Sequence, residues 1–244
     1  MDWSKAKTIL IAAFLITDLI LVALIAWPMT RADARADHAN DQILLEVLAR
    51  NNVFLAAEIP SGNGELPVLY GRQEALDKER TRALLDRQTP VPAADDAAYI
   101  EAAKAFIKEA GLTDGTLVFE TIEKAEGRVT VFFGNRINEM PIEKSGVVCV
   151  FREKALTEFE YDWFRVEGFN NKKQRTISAA DALLVFMSAE NREADEKRVV
   201  EEIKIVYWLG ESGVGANVIA DTAIPAWKIV YNDGETAYIN AYEQ

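Results

Sequence analysis

A run of twenty residues, Thr8 to Trp27, contains no Lys or Arg and one acid, Asp18. An α-helix of that length reaches about 30 Å, the thickness of a bilayer's hydrocarbon core. Lys5 and Lys7 precede the run, Trp27 closes it where interfacial aromatics are favoured, and Pro28 stops the helix. The pattern predicts a membrane-spanning helix over 7–27 with a cytoplasmic tail over 1–6. With a short leading tail and no second span after it, the remainder is expected outside the cytoplasm. The competing reading is a cleavable signal peptide with Ala34-Arg35-Ala36 as its small-residue site. Such peptides carry apolar cores of about 7–15 residues, shorter than this one, and Ala34 lies well beyond its end. The length favours an uncleaved anchor in the cell membrane.

Asp18 sits near the middle of the run, too deep to reach either surface easily. A carboxylate there costs about 2.5–3.5 kcal/mol on insertion scales. Its helical neighbours Phe14, Leu15, Leu21 and Val22 offer it no polar partner. A chain with one span has no second helix to satisfy it. The options are a protonated group tolerated in lipid, self-association, or a polar contact with another protein's membrane helix. Ala13 and Thr17 form a small-xxx-small pair that allows a partner helix to approach closely. Asp18, Ala13 and Thr17 are therefore the candidate contact residues.

Beyond the run, composition excludes more than it selects. The net charge of −12 over 244 residues argues against nucleic acid, whose phosphates need a basic surface. One cysteine, Cys149, permits no intrachain disulfide, and one histidine, His38, precludes a Cys/His-rich zinc site.

The rest of the chain predicts an α+β fold. Apolar spacing places Ile43, Leu44, Val47 and Leu48 on one face of a helix that ends near Arg50. Short strands VFLAAEI and LPVLY, a polar helix EALDKERTRALLDRQ, and a proline-marked linker TPVPAADD follow. DDAAYIEAAKAFIKEAGL is amphipathic, with Ile100, Ala103, Phe106 and Ile107 inward and Gly111 as its stop. A meander of TLVFETIEK, RVTVFFGN, GVVCVFRE and LTEFEYDWFRVEG comes next, with a turn at Ala125-Glu126-Gly127. Ser178 and Asp181 have the spacing of a capping box before SAADALLVFMSAE. The strand EEIKIVYWLG and the hairpin PAWKIVYNDGETAYINAY, turning at Asn232-Asp233-Gly234, complete the chain. Helix followed by meander thus occurs twice, at about 96–166 and 178–242. The expected architecture is a single membrane helix and two tandem extracytoplasmic units of helix on antiparallel sheet, divided as 28–172 and 173–244.

No constellation of residues points to catalysis. In EFEYDWF, Glu158, Glu160 and Asp162 alternate with Phe159, Tyr161 and Trp163. Three acids on one strand face suit a calcium site or an acid pair, but the wet face of a sheet explains the alternation more simply. Asp37, His38 and Asp41 cluster at a helix start, where a surface or capping role is expected. Cys149 lies in the apolar strand GVVCVF with no pattern that would activate a thiol. Gly210, Gly213 and Gly215 do not make a phosphate loop, because no Lys-Ser/Thr follows. Neither cofactor nor metal is expected, nor enzymatic activity.

The opening MDWSKAKTILIAAFLITDLIL resembles that of the YycI (WalI) family. Pro225-Ala226-Trp227-Lys228-Ile229 with Tyr238-Ile239-Asn240-Ala241 is similar to that family's closing hairpin. The second unit is also similar to the PepSY-like pattern of a helix on a small antiparallel sheet. The resemblance implies a membrane-anchored regulator of the YycFG (WalRK) two-component system. Its implied partners are the YycG/WalK-type sensor histidine kinase and a YycH-like sister protein, contacted partly through membrane helices. It brings no catalytic residues.

Overall fold

A computed structural model describes residues 42–61, 64–92, 95–112, 115–188, 197–210 and 222–243. They form two compact units, a small one made of 42–55 with 197–198 and a large one made of the rest. The run 7–27, with Asp18, Ala13 and Thr17, lies outside the described residues, as do Asp37, His38 and Asp41. Among the described residues no helix is long and apolar enough to cross a membrane.

The small unit holds a helix over 42–50 (α1) and the strand β1 (Val53–Leu55). Leu44 and Leu48 are buried as the spacing predicts, but Ile43 is 63% exposed. A strict 3–4 pattern thus assigns Ile43 to the inner face wrongly. Asn52, at φ 60°, turns the chain between α1 and β1. Its carbonyl accepts from the Arg198 amide at 2.8 Å, and Lys197 Nζ lies 5.1 Å from the centre of the Phe54 ring.

The large unit is mixed α+β. Its strands are β2 (Glu65–Leu66), β3 (Leu69–Glu74), β4 (Leu117–Ala125), β5 (Arg128–Ile137), β6 (Met140–Arg152), β7 (Ala155–Phe169), β8 (Gln174–Arg175), β9 (Arg198–Trp208), β10 (Thr222–Tyr231) and β11 (Glu235–Asn240). The helices are α2 (Lys78–Leu85), α3 (Asp96–Glu109) and α4 (Ala179–Ser188). Strands β4 to β7 form the antiparallel meander. Its turns carry the left-handed residues that tight hairpins need: Glu126 and Gly127, Asn138 and Glu139, Glu153 and Lys154.

One face of the meander is closed by α3. Asp95 caps this helix by accepting from the Ala98 amide, and Gly111 follows its end at φ 79°. Tyr99, Ala103, Phe106 and Ile107 meet Val131, Phe133, Val147, Cys149, Phe151 and Trp163 in a continuous core. Ile100, expected inward, packs against this core and is partly buried. In the proline-marked segment expected as a linker, Thr89, Pro90 and Pro92 are exposed, but Val91 is packed. Val91 belongs to this core, and its amide donates to Lys154 O at 2.9 Å. An apolar residue between two prolines can be buried where the chain is extended and its one amide finds a carbonyl.

The second helix-and-sheet group comprises α4 and β9, β10 and β11. Ser178 and Asp181 make the expected capping box: Ser178 Oγ accepts from the Asp181 amide, and Asp181 Oδ2 accepts from the Ser178 amide and hydroxyl. Phe186 packs edge-on against Tyr231, and Trp227 Nε1 donates to Ile177 O at 3.1 Å. Asn232, Asp233 and Gly234 turn β10 into β11 with positive φ throughout, as the sequence requires.

The two groups are joined through the sheet. β3 pairs along its whole length with β7 and, at Leu69 and Tyr70, with Ala223 and Thr222 of β10. β6 pairs in parallel with β9 at Ile142 and Tyr207. Strands β6, β7, β3, β10 and β9 therefore close a ring. Each contributes one residue to a small shared core: Ile142, Phe164, Leu69, Ala223 and Tyr207. A second tie is the β2–β8 pairing, reinforced where Thr176 Oγ1 donates to Gly64 O and accepts from the Gly64 amide.

A polar cleft at the joint as the candidate functional site

The ring exists because β6 is irregular. Gly134 pairs with Gly146 and Arg136 with Pro141, so β6 spends four residues, Ile142 to Ser145, against one of β5. This bulge lets Ile142 reach β9 and turns Lys144 to φ 58°. Asn135, the single residue opposite it, is 1% exposed. Its Nδ2 donates to Ser145 Oγ at 3.0 Å and to Phe164 O at 2.8 Å, while Ser145 Oγ accepts from the Phe164 amide at 2.8 Å. The carbonyl of Phe164 can only accept, so the amide orientation of Asn135 is fixed. Its Oδ1 is buried with no hydrogen-bond partner among the described residues.

Beside the bulge opens a cleft of about 390 Å³. Its lining includes Gly134, whose Cβ position is taken by the Glu120 side chain, and Gly146, where a side chain is sterically refused: a Cβ there falls 2.7 Å from Phe133 O. Around it stand four acids (Glu120, Glu143, Glu160, Asp162) and four bases (Arg136, Lys144, Lys204, Lys228). Arg136 Nη2 lies 3.3 Å from Glu120 Oε1, and Gln73 donates to Asp162. The most enclosed pair is Glu143 with Lys228. Their side chains are 13% and 19% exposed, the Nζ to Oε2 distance is 2.8 Å, and the Tyr238 hydroxyl donates to the same oxygen at 3.0 Å. Tyr238 is itself stacked on Trp208, ring centres 5.5 Å apart. The four acids and four bases balance in number.

A second, wider cavity of about 610 Å³ lies by one end of the ring, lined by Met140, Tyr207, Phe169, Leu66 and several asparagines. Burial pushes the Tyr207 phenol up to about 12, so it remains protonated near neutrality.

The alternating acids of EFEYDWF separate as period two dictates. Phe159 packs on Phe106, and Tyr161 stacks on Trp163 toward α3, while the carboxylates face outward. Glu158 pairs with Arg152 at 2.9 Å. Among the described residues no group of three or more His, Cys, Asp or Glu is placed to hold a metal ion. Cys149 is fully buried in the α3 core, and desolvation pushes its thiol up to about 12, the condition of an inert cysteine. Gly210 ends β9's exit, and Gly213 and Gly215 lie outside the described residues. Sequence reasoning missed Asn135, Ser145, Glu143 and Lys228. The two adjacent glycines of the hairpin and the polar run Glu143-Lys144-Ser145 in an otherwise apolar strand were the available signals.

An α+β body whose two helix-and-sheet groups meet at a polar cleft is the class that the geometry defines. No family model matches the sequence, and no curated protein matches it. Among solved structures, the C-terminal domain of Bacillus megaterium YpeB matches at 13% identity, over 64% of this chain and 65% of its own, with a TM-score of 0.36. An uncharacterized protein from Eubacterium rectale ATCC 33656 matches at 14% identity, over 68% of this chain and 56% of its own, with a TM-score of 0.37. The chain spans less than two thirds of the length of either, and likeness at this level carries no functional argument.

Proposed function

We propose that the chain is a membrane-anchored, non-enzymatic accessory regulator of a YycG/WalK-type sensor histidine kinase, acting together with a YycH-like sister protein. The observation that supports this reading is the uncharged run 8–27 interrupted at its centre by Asp18. Of the three ways to accommodate that carboxylate, a protonated group tolerated in lipid, self-association or a contact with another protein's helix, this reading takes the third. Regulation then requires that the chain bind one signalling state of the kinase more tightly than the other, since a partner shifts an equilibrium only through differential affinity. The body outside the membrane, of the PepSY-like pattern, adds contacts of its own. Co-purification of the full-length chain with kinase and sister protein, native against Asp18→Leu, tests the reading. It predicts a clear loss of association, and undiminished recovery sinks the role of Asp18.

The polar cleft favours a second reading, a tethered binding module of the PepSY-like kind that captures a peptide or inhibits a protease, with the span serving only as an anchor. There, residues 30–244 alone retain full activity.

A further inference from the structure

We propose that Glu143 is a latch that holds the α4 group against the meander, and that its release opens the joint while both groups stay folded. The inference is independent of what the chain regulates. Its first support is the contrast in how the ring strands are tied. Within the meander, β5 and β6 pair from Arg128–Arg152 to Gly134–Gly146, and β6 and β7 from Gly146–Asp162 to Arg152–Ala155. Across the joint, β6 and β9 share one residue pair, and β3 and β10 share two. β3 itself is bound to the meander side by six pairs to β7, and there Glu74 accepts from Arg165 at 2.7 and 2.9 Å and from Tyr161 at 2.6 Å. So few ladder bonds at the joint leave its stability to side chains.

The second support is the placement of Glu143. It stands in the β6 bulge, next to the one residue that reaches β9, and takes both of its described hydrogen bonds from the other group, Lys228 on β10 and Tyr238 on β11. The pair is the least exposed of the ion pairs described, so its hydrogen bonds are less screened than those of surface pairs. The third is the cleft, whose walls come from both groups: Gly134, Gly146 and Glu160 from the meander, Lys204 and Lys228 from the hairpin side. A joint that loosens widens this cleft. The β2–β8 tie does not involve Glu143 and keeps the groups connected.

Hydrogen exchange by mass spectrometry on the full chain in detergent micelles tests the latch, with native protein, Glu143→Gln and the swapped pair Glu143→Lys/Lys228→Glu. In Glu143→Gln, exchange in peptides covering 69–71, 205–208 and 222–226 is expected to accelerate at least about tenfold, while 129–133 and 147–151 change by less than about twofold. The swap is expected to return the joint peptides to within about threefold of native, since it restores the pairing of opposite charges. Equal acceleration in both groups, no acceleration at the joint, or a swap that stays as fast as Glu143→Gln would each overturn the proposal.

Discussion

The meander under α3 and the ring that joins it to the α4 group are built from the same strands, yet they are held together differently. The meander has long antiparallel ladders and thirteen buried residues in one core, several of them aromatic. The core shared by the ring strands has five buried residues among those described, one per strand, and the joint across it carries three residue pairs and an ion pair. Burial of large side chains makes the first region hard to open, whereas the second relies on a few directional contacts around a polar cleft. Extensive packing and a few directional contacts are thus divided between neighbouring parts of one sheet.

Substitutions sharpen that contrast. Phe106→Ala removes a ring at the centre of the meander core and is expected to cost about 3–5 kcal/mol in urea unfolding, the largest of these effects. A cost below about 1 kcal/mol would show that the α3 core does not dominate. Gly146→Ala places a Cβ 2.7 Å from a backbone oxygen and is expected to cost about 1–3 kcal/mol while filling the cleft floor. Ser178→Ala removes the cap of α4 and is expected to cost about 1 kcal/mol, read as faster amide exchange in 179–183 with the meander unaffected.

The smallest effect is a pH dependence. Burial opposes ionisation of Glu74, but the Tyr161 hydroxyl and the Arg165 guanidinium together hold its carboxyl below the usual carboxylate range. A lowered folded pKa means that its stabilisation is present above about pH 4.3, the usual value in an unfolded chain, and is lost as pH falls through the folded value. Native protein should therefore lose more stability than Glu74→Gln between about pH 5 and 3 in acid-titrated unfolding. Equal losses would show that the β3–β7 fork contributes nothing.

Much of the architecture was legible because local chemistry determines it. The capping box at Ser178, the stop at Gly111 and the turn Asn232-Asp233-Gly234 all sit where the backbone needs a cap or a positive φ. Alternation in EFEYDWF correctly assigns aromatics inward. What remained hidden depends on partners far apart in sequence. That Val91 is core rather than linker depends on Lys154, and that Glu143 is tied depends on Lys228 and Tyr238. The bulge that makes the joint breaks β6's period, and periodicity arguments read such a break as noise.

The most direct measurement is the output of a kinase-dependent reporter in cells whose only copy of this chain carries polyleucine in place of residues 9–26, with the body intact and the variant present in membranes at native level. Action through Asp18 and its helix predicts that regulation is lost although anchoring is kept. Native output from the polyleucine chain would contradict it and leave the span as a tether.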